Sequence, residues 1–156
     1  DVVCVSMHWQ TEDITTPNAS EKEIVQKLVD MGADIIIGTG PHVLQPIEFV
    51  EREDGSKVLV IWSLGNFIST QATKPTLPGG LADVTVKKDY ATGKTSVENV
   101  KFIPTVTHYG AGRSNVRIIP FSKYSESLAS SHGAGISYSY IKKFYEDMYG
   151  DLLYVS

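Results

Sequence analysis

Val2-Val3-Cys4-Val5-Ser6-Met7-His8 and Asp34-Ile35-Ile36-Ile37-Gly38, with one amphipathic stretch between them, decide the fold class of this 156-residue chain. The first run is rich in β-branched residues and reads as a strand ending at His8, followed by a polar loop, Gln10 to Asn18, that contains Pro17. Ser20 with Glu23 three residues later has the form of a capping box. Ile24, Leu28 and Met31 then recur at helical spacing, with Val25 and Val29 beside them, until Gly32 stops the helix. Asp34 to Ile37 is too apolar for a strand with one wet face and suits a parallel strand covered on both sides. Residues 2–38 therefore predict a βαβ unit.

Beyond it, Ile47 to Glu51 and Val58 to Ser63 flank Asp54-Gly55, a strong hairpin signal. Asp83 to Val86 and Ser96 to Ile103 alternate around Thr92-Gly93 and predict a second hairpin, with Pro75 to Gly80 as the loop before it. Val116 to Phe121 adds a strand. Ser122 to Gly135 reads as a mobile, serine- and glycine-rich segment, and Ser137 to Tyr149 as a helix carrying Tyr140, Ile141, Phe144, Tyr145 and Met148 on its apolar stripe. The expected class is α/β with a mixed sheet, the second hairpin lying in a second layer. Residues 1–121 form the body of the domain, and 122–156 a flexible segment plus a terminal helix of the same domain.

Composition narrows the function. At 42% hydrophobic residues the chain can bury a core without staples, and a single cysteine excludes both an internal disulfide and a cysteine-built zinc site. With 14 basic and 18 acidic side chains the formal charge is −4, which argues against nucleic acid as a partner. No apolar run is long enough to cross a membrane. Cys4, in the middle of an apolar run, reads as an inert core thiol. The chain opens at Asp1 immediately before that run, so it is expected to be a piece of a longer protein.

The chemistry concentrates in three short segments. In a βαβ unit ligands gather at the carboxyl ends of the parallel strands. His8 lies at one such end and His42 just past the other, and Asn66, in Ser63-Leu64-Gly65-Asn66-Phe67, joins them if the strand before it enters the same sheet. Imidazole nitrogen with amide or carboxylate oxygen suits zinc, manganese or iron. Each histidine also has a plain reading, His8 as a strand-end ring satisfied by a carbonyl and His42 as a turn residue after Pro41. Glu12 and Asp13 either supply carboxylate or are solvated loop acids. His108, Tyr109 and Arg113 flank Gly110-Ala111-Gly112 and are candidates for holding an anion, or ordinary residues of a surface loop. Gly38-Thr39-Gly40 is not a phosphate-cradling turn, because Pro41 removes a donor and the third glycine is missing. His132 supports no functional reading.

Taken together, His8-Trp9-Gln10-Thr11-Glu12, Gly38-Thr39-Gly40-Pro41-His42-Val43-Leu44-Gln45-Pro46 and Ser63-Leu64-Gly65-Asn66-Phe67-Ile68 resemble the bacterial capsule-synthesis family of poly-γ-glutamate proteins, CapA-type, over about residues 1–121. That family looks like a branch of the calcineurin-like metallophosphoesterases. The resemblance implies a four-layer sandwich with a divalent metal pair (Mn, Fe or Zn) at a sheet edge, of which this chain would hold the C-terminal portion. It implies His8 and His42 as metal ligands and, with Asn66, as catalytic residues, and Glu12 as orienting ligands or substrate; His108 and Arg113 stand beside Glu12 as substrate-binding candidates only on the reading of their own loop. Two departures stand out: Gln10 replaces the family's usual glycine, and Gly40 the first histidine of its H-P-H element.

Two functions follow from the resemblance. One is a metal-dependent hydrolase acting on a phosphate-like substrate or an amide in capsule synthesis, with part of the ligand set outside this chain. The other is a non-catalytic module that binds or helps export an anionic polymer, which Gly40 favours and which requires a local basic patch, for example around Arg113 and Arg117. Either implies other capsule-synthesis proteins as partners and a cell-surface location anchored elsewhere in the parent. An uncovered sheet edge makes a homodimer possible.

Overall fold

The computed structural model describes residues 1–154. A four-stranded mixed sheet is built from β1 (Cys4–His8), β2 (Ile35–Thr39), β3 (Ile47–Glu51) and β4 (Lys57–Ile61) in the order β1-β2-β4-β3. The first three in that order are parallel, and β3 returns antiparallel on β4 through the Asp54-Gly55 turn. A second, antiparallel sheet contains β5 (Pro78–Lys88), β6 (Thr95–His108) and β7 (Arg117–Pro120). The helices are α1 (Ala19–Asp30), a short α2 (Glu126–Ser130) and α3 (Tyr138–Tyr149).

Strand β2 is covered on both faces, as its run of isoleucines requires. Ile36 packs with Val58 and Val60 beneath Val25 and Val29 of α1, and Trp9 and Trp62 close the same cluster. Ile35, on the opposite face, joins Leu59 and Ile61 in a larger core with Phe102 and Val106 of β6 and Ile141, Tyr145 and Tyr149 of α3. Each such fully buried aliphatic side chain contributes about 1.5–3 kcal/mol. The second sheet and α3 are thus welded to the first sheet. The phenol of Tyr149 stacks on Phe102 with centroids 3.7 Å apart and donates to the Gln45 carbonyl at 2.9 Å.

Several expectations need correction. The N-cap of α1 is Asn18, not Ser20: its side chain accepts from the Glu21 N–H while Glu21 reaches back to the Asn18 N–H. The buried stripe is Glu21, Val25 and Val29, and Val25 and Val29 pack on Ile36, Val58 and Val60, whereas Ile24 and Met31 face solvent. Pro78 to Gly80 is strand rather than loop. Only glycine fits there: a Cβ on Gly80 would lie 2.1 Å from the Phe102 ring. Cys4 is exposed. It shares a face with Ser6 and His8 on the edge strand β1, where the second sheet does not reach, while Val5 and Met7 turn toward α1.

The segment from Ser122 to Gly135 is folded rather than mobile, since serine and glycine here serve caps and turns. Ser125 caps α2, and Ala129 and His132 are buried. His132 donates through Nε2 to the Thr107 carbonyl and accepts the Ala134 N–H at Nδ1, so its ring is fully satisfied in the neutral form. Its edge meets His108, also buried, whose Nδ1 pairs with the Tyr124 hydroxyl at 3.1 Å.

Burial, with His132 and Arg117 nearby, holds the His108 pKa below its ordinary 6.5. The unfolded chain therefore takes up a proton at His108 before the folded one does. The stability contributed by its neutral form is complete above pH 6.5 and is lost as pH falls from there through the depressed folded value. Urea midpoints measured between about pH 7.5 and about pH 5 are expected to fall with acidification, and His108→Asn to flatten that slope.

Candidate functional site

The parallel pairing fixes where the chemistry collects. β1, β2 and β4 end at the same margin, with His8 directly opposite Thr39 in the register. The chain leaves β2 through Gly40-Pro41-His42 and leaves β4 through Trp62 to Asn66. These two exits are tied together by Gln45 N–H to the Ser63 carbonyl at 3.0 Å and by a bridge between Leu44 and Leu64. The result is a cleft of about 310 Å³ lined by His8, Thr39, Gly40, His42, Ser63 and Asn66 among others. Side chains 34 and 24 residues apart in sequence thereby line one cavity.

His42 is held by a chain of hydrogen bonds whose polarity can be read. The Asn66 amide nitrogen donates to the Thr76 carbonyl at 3.2 Å and to Gln71 Oε1 at 2.7 Å. A backbone carbonyl can only accept, so Asn66 Oδ1 must be the atom that faces His42 Nδ1 at 2.9 Å. In its neutral form His42 therefore carries the proton on Nδ1 and leaves the lone pair on Nε2, the arrangement that an outer hydrogen bond gives a ligand or base histidine. His8 follows the same logic more loosely. Thr39 spends its hydroxyl proton on the Met7 carbonyl at 3.1 Å, so its oxygen accepts from His8 Nδ1 at 3.4 Å and leaves His8 Nε2 bare beside Gly40.

Glu12 stands at the rim, Oε1 3.9 Å from His42 Nε2, with both side chains well exposed, so the pair itself adds little stability. The loop that carries it is anchored at Asp13 N–H to the Pro41 carbonyl, 2.9 Å, and at Ile14, whose carbonyl accepts Gln45 Nε2 at 2.8 Å. Asp13 and His42 both adopt left-handed backbone, φ 58° and 62°. Such geometry costs non-glycine residues about 1–3 kcal/mol and persists only where surrounding structure over-determines it.

His108 and Arg113 do not line this cleft. His108 ends β6 inside the aromatic cluster described above, correcting its reading as a surface-loop residue. Arg113 sits on an exposed turn after β6. Thr39, Gln71 and Thr76 are hydrogen-bond partners of the cleft residues that sequence reasoning missed. Thr39 lay within a segment already singled out, but Gln71 and Thr76 carry no local signal of their role.

For a divalent metal the donor type fits: two bare imidazole nitrogens and a nearby carboxylate. The donor number does not close a site, because among the described residues no group of three or more His, Cys, Asp or Glu side chains converges. Nor can position 40 supply one. Gly40 has φ +109°, and a Cβ there would lie 2.3 Å from the Trp9 carbonyl oxygen and 3.2 Å from His8 Nε2. This turn has no room for a side chain.

Residues 1–71 match the family model described as bacterial capsule synthesis protein PGA_cap. The chain is 36% identical over 97 residues to the PGA biosynthesis protein CapA of Bacillus subtilis (strain 168), covering 62% of this chain and 24% of that protein. It is 37% identical over 71 residues to the capsule biosynthesis protein CapA of Bacillus anthracis, covering 46% and 16%. It thus spans a quarter or less of the length of these curated relatives.

Two outcomes test the geometry. Long-range ¹H–¹⁵N correlation is expected to show His42 as the Nδ1–H tautomer, and Asn66→Ala to shift it toward Nε2–H. Gly40→Ala is expected to cost about 2 kcal/mol or more in chemical denaturation; an unchanged midpoint would mean the turn opens freely.

Proposed function

We propose, from the match of residues 1–71 to the bacterial capsule synthesis family model, that the His8–His42–Asn66 cleft is one wall of a metallophosphatase-like, metal-dependent hydrolase centre serving poly-γ-glutamate capsule biosynthesis. The observation that carries this reading is the Asn66 amide, fixed by the Thr76 carbonyl, holding His42 with Nε2 bare toward the cleft. A dinuclear centre polarises a phosphate or amide and readies water for attack when its ions are bound. This chain's part is to present His8 Nε2 and His42 Nε2 as ligands, to keep both rings oriented through Thr39 and Asn66, and to place Glu12 at the rim to face substrate. The remaining ligands come from outside these residues, within a four-layer sandwich of which the two sheets here form a portion. The cell surface is the corresponding location, and other capsule-synthesis proteins are its partners.

The second reading, a non-catalytic module that handles an anionic polymer, is favoured by the side-chain-excluding turn at Gly40. Manganese and zinc titrations followed by calorimetry separate the two. The 156-residue chain is expected to bind no stoichiometric ion. A longer protein containing it is expected to bind two ions and to lose both ions and phosphoesterase turnover in His42→Ala. Tight binding of two ions by the short chain would overturn the shared-ligand account, and a full-length protein indifferent to chelators would leave the module reading.

A further inference from the structure

β5 is the outer strand of the second sheet, and from Leu81 to Lys88 it pairs on one side only, with β6. Among the described residues no other backbone segment bonds to that stretch. Its two ends fix which groups are left open. Gly80 N–H donates away from β6, to the Leu64 carbonyl at 3.0 Å, whereas Asp89 N–H donates across the hairpin to the Lys94 carbonyl at 2.8 Å. The backbone groups of successive strand residues alternate in side. Ala82, Val84, Val86 and Lys88 therefore present N–H and C=O to the open edge.

Sheet edges are usually blunted by a bulge, a proline or like charge. The hairpin does contain a bulge, since Asp83 faces Lys101 while Thr85 faces Glu98, but the extra residue is on β6, where Asn99 has φ 52°. A bulge disrupts the strand that carries it, so β5 stays regular. No proline falls between Leu81 and Lys88, and the charges there are of both signs, Asp83 against Lys87 and Lys88. Asp83 has no cation within ion-pair distance among the described residues. Lys87 lies 3.8 Å from Glu98, with both side chains well exposed, a contact that adds little.

We propose that β5 pairs with β5 of a second copy of this chain, antiparallel about a two-fold axis at Thr85, so that two three-stranded sheets become one. Only registers that set the open backbone groups opposite one another can form the ladder. The register centred on Thr85 places Asp83 across from the partner's Lys87, and by symmetry Lys87 across from the partner's Asp83. It also places Val86, 46% exposed in the single chain, across from the partner's Val84. Sliding one step in one direction sets Asp83 against the partner's Thr85, and one step in the other sets it against the partner's Asp89. Opposite charges directly across a pair stabilise it and like charges oppose it, so the sequence of the edge selects one register. This self-complementarity is what a two-fold interface requires of a single surface, and it favours a second copy over a strand of unrelated sequence. One strand edge covers less surface than a permanent dimer, so the association depends on concentration. It needs neither metal nor turnover at the histidine cleft.

Sedimentation equilibrium of the whole chain between about 10 µM and about 1 mM is expected to show monomer passing to dimer and nothing larger. Amide exchange at Ala82, Val84 and Val86 is expected to slow as the dimer forms. Asp83→Lys and Lys87→Glu are each expected to weaken dimerisation about tenfold or more, and the double variant Asp83→Lys/Lys87→Glu to restore it, because the pair is then reversed. Unchanged melting shows that the variants fold. A chain that stays monomeric throughout overturns the proposal, as does a dimer in which those three amides exchange as in the monomer. Single variants without effect, or a double variant that remains monomeric, overturn it equally. A longer protein containing this chain that protects the same amides while monomeric would assign the edge to its own strand and overturn it too.

Discussion

Everything in this molecule depends on β2 being paired in parallel on both sides. Parallel neighbours end at a common margin, so β1 and β4 must release their following loops beside the one released by β2. That constraint brings His8, the turn bearing His42 and the loop bearing Asn66 to one cleft without any interaction between them being required first. It also demands cover on both faces, which α1 supplies on one side and the second sheet with α3 supplies on the other. Hydrogen bonding then sharpens what topology has gathered. The polarity of a single carbonyl, Thr76, propagates through Asn66 to decide which nitrogen of neutral His42 carries the proton.

Sequence reasoning recovers what depends on short-range pattern. The isoleucines of β2, the Asp54-Gly55 hairpin and the helix ending at Tyr149 are all legible because periodicity and turn chemistry are local. The joint placement of His8 and His42 is legible because parallel topology follows from a βαβ unit. The errors come where distant residues decide. Cys4 is apolar in context but lies on a face that no other layer reaches, and Gly79 and Gly80 read as loop although Asn66 and Phe102 are what exclude side chains there. The serine-rich segment hides α2 because its serines act as caps, and His132 is fixed by Thr107, 25 residues away. Gln71 and Thr76 reach the site only through contacts with Asn66, which no spacing rule announces.

The two clefts differ in how they are built. The histidine cleft is made by loops clamped to one another, with left-handed backbone at Asp13 and His42 and fixed proton positions, as suits chemistry that requires exact orientation. The groove of about 740 Å³ between the tips of the β3–β4 and β5–β6 hairpins is made instead of long lysine side chains on exposed strands and turns.

Tyr149, near the end of α3, grips the Gln45 carbonyl, while the Gln45 side chain grips the Ile14 carbonyl in the loop that carries Glu12. Tyr145, one turn earlier, holds the Thr105 carbonyl. The last helix is consequently a strut whose register is locked by two phenols four positions apart. A slip of one residue along its axis would release the rim of the histidine cleft and the centre of the second sheet in the same movement.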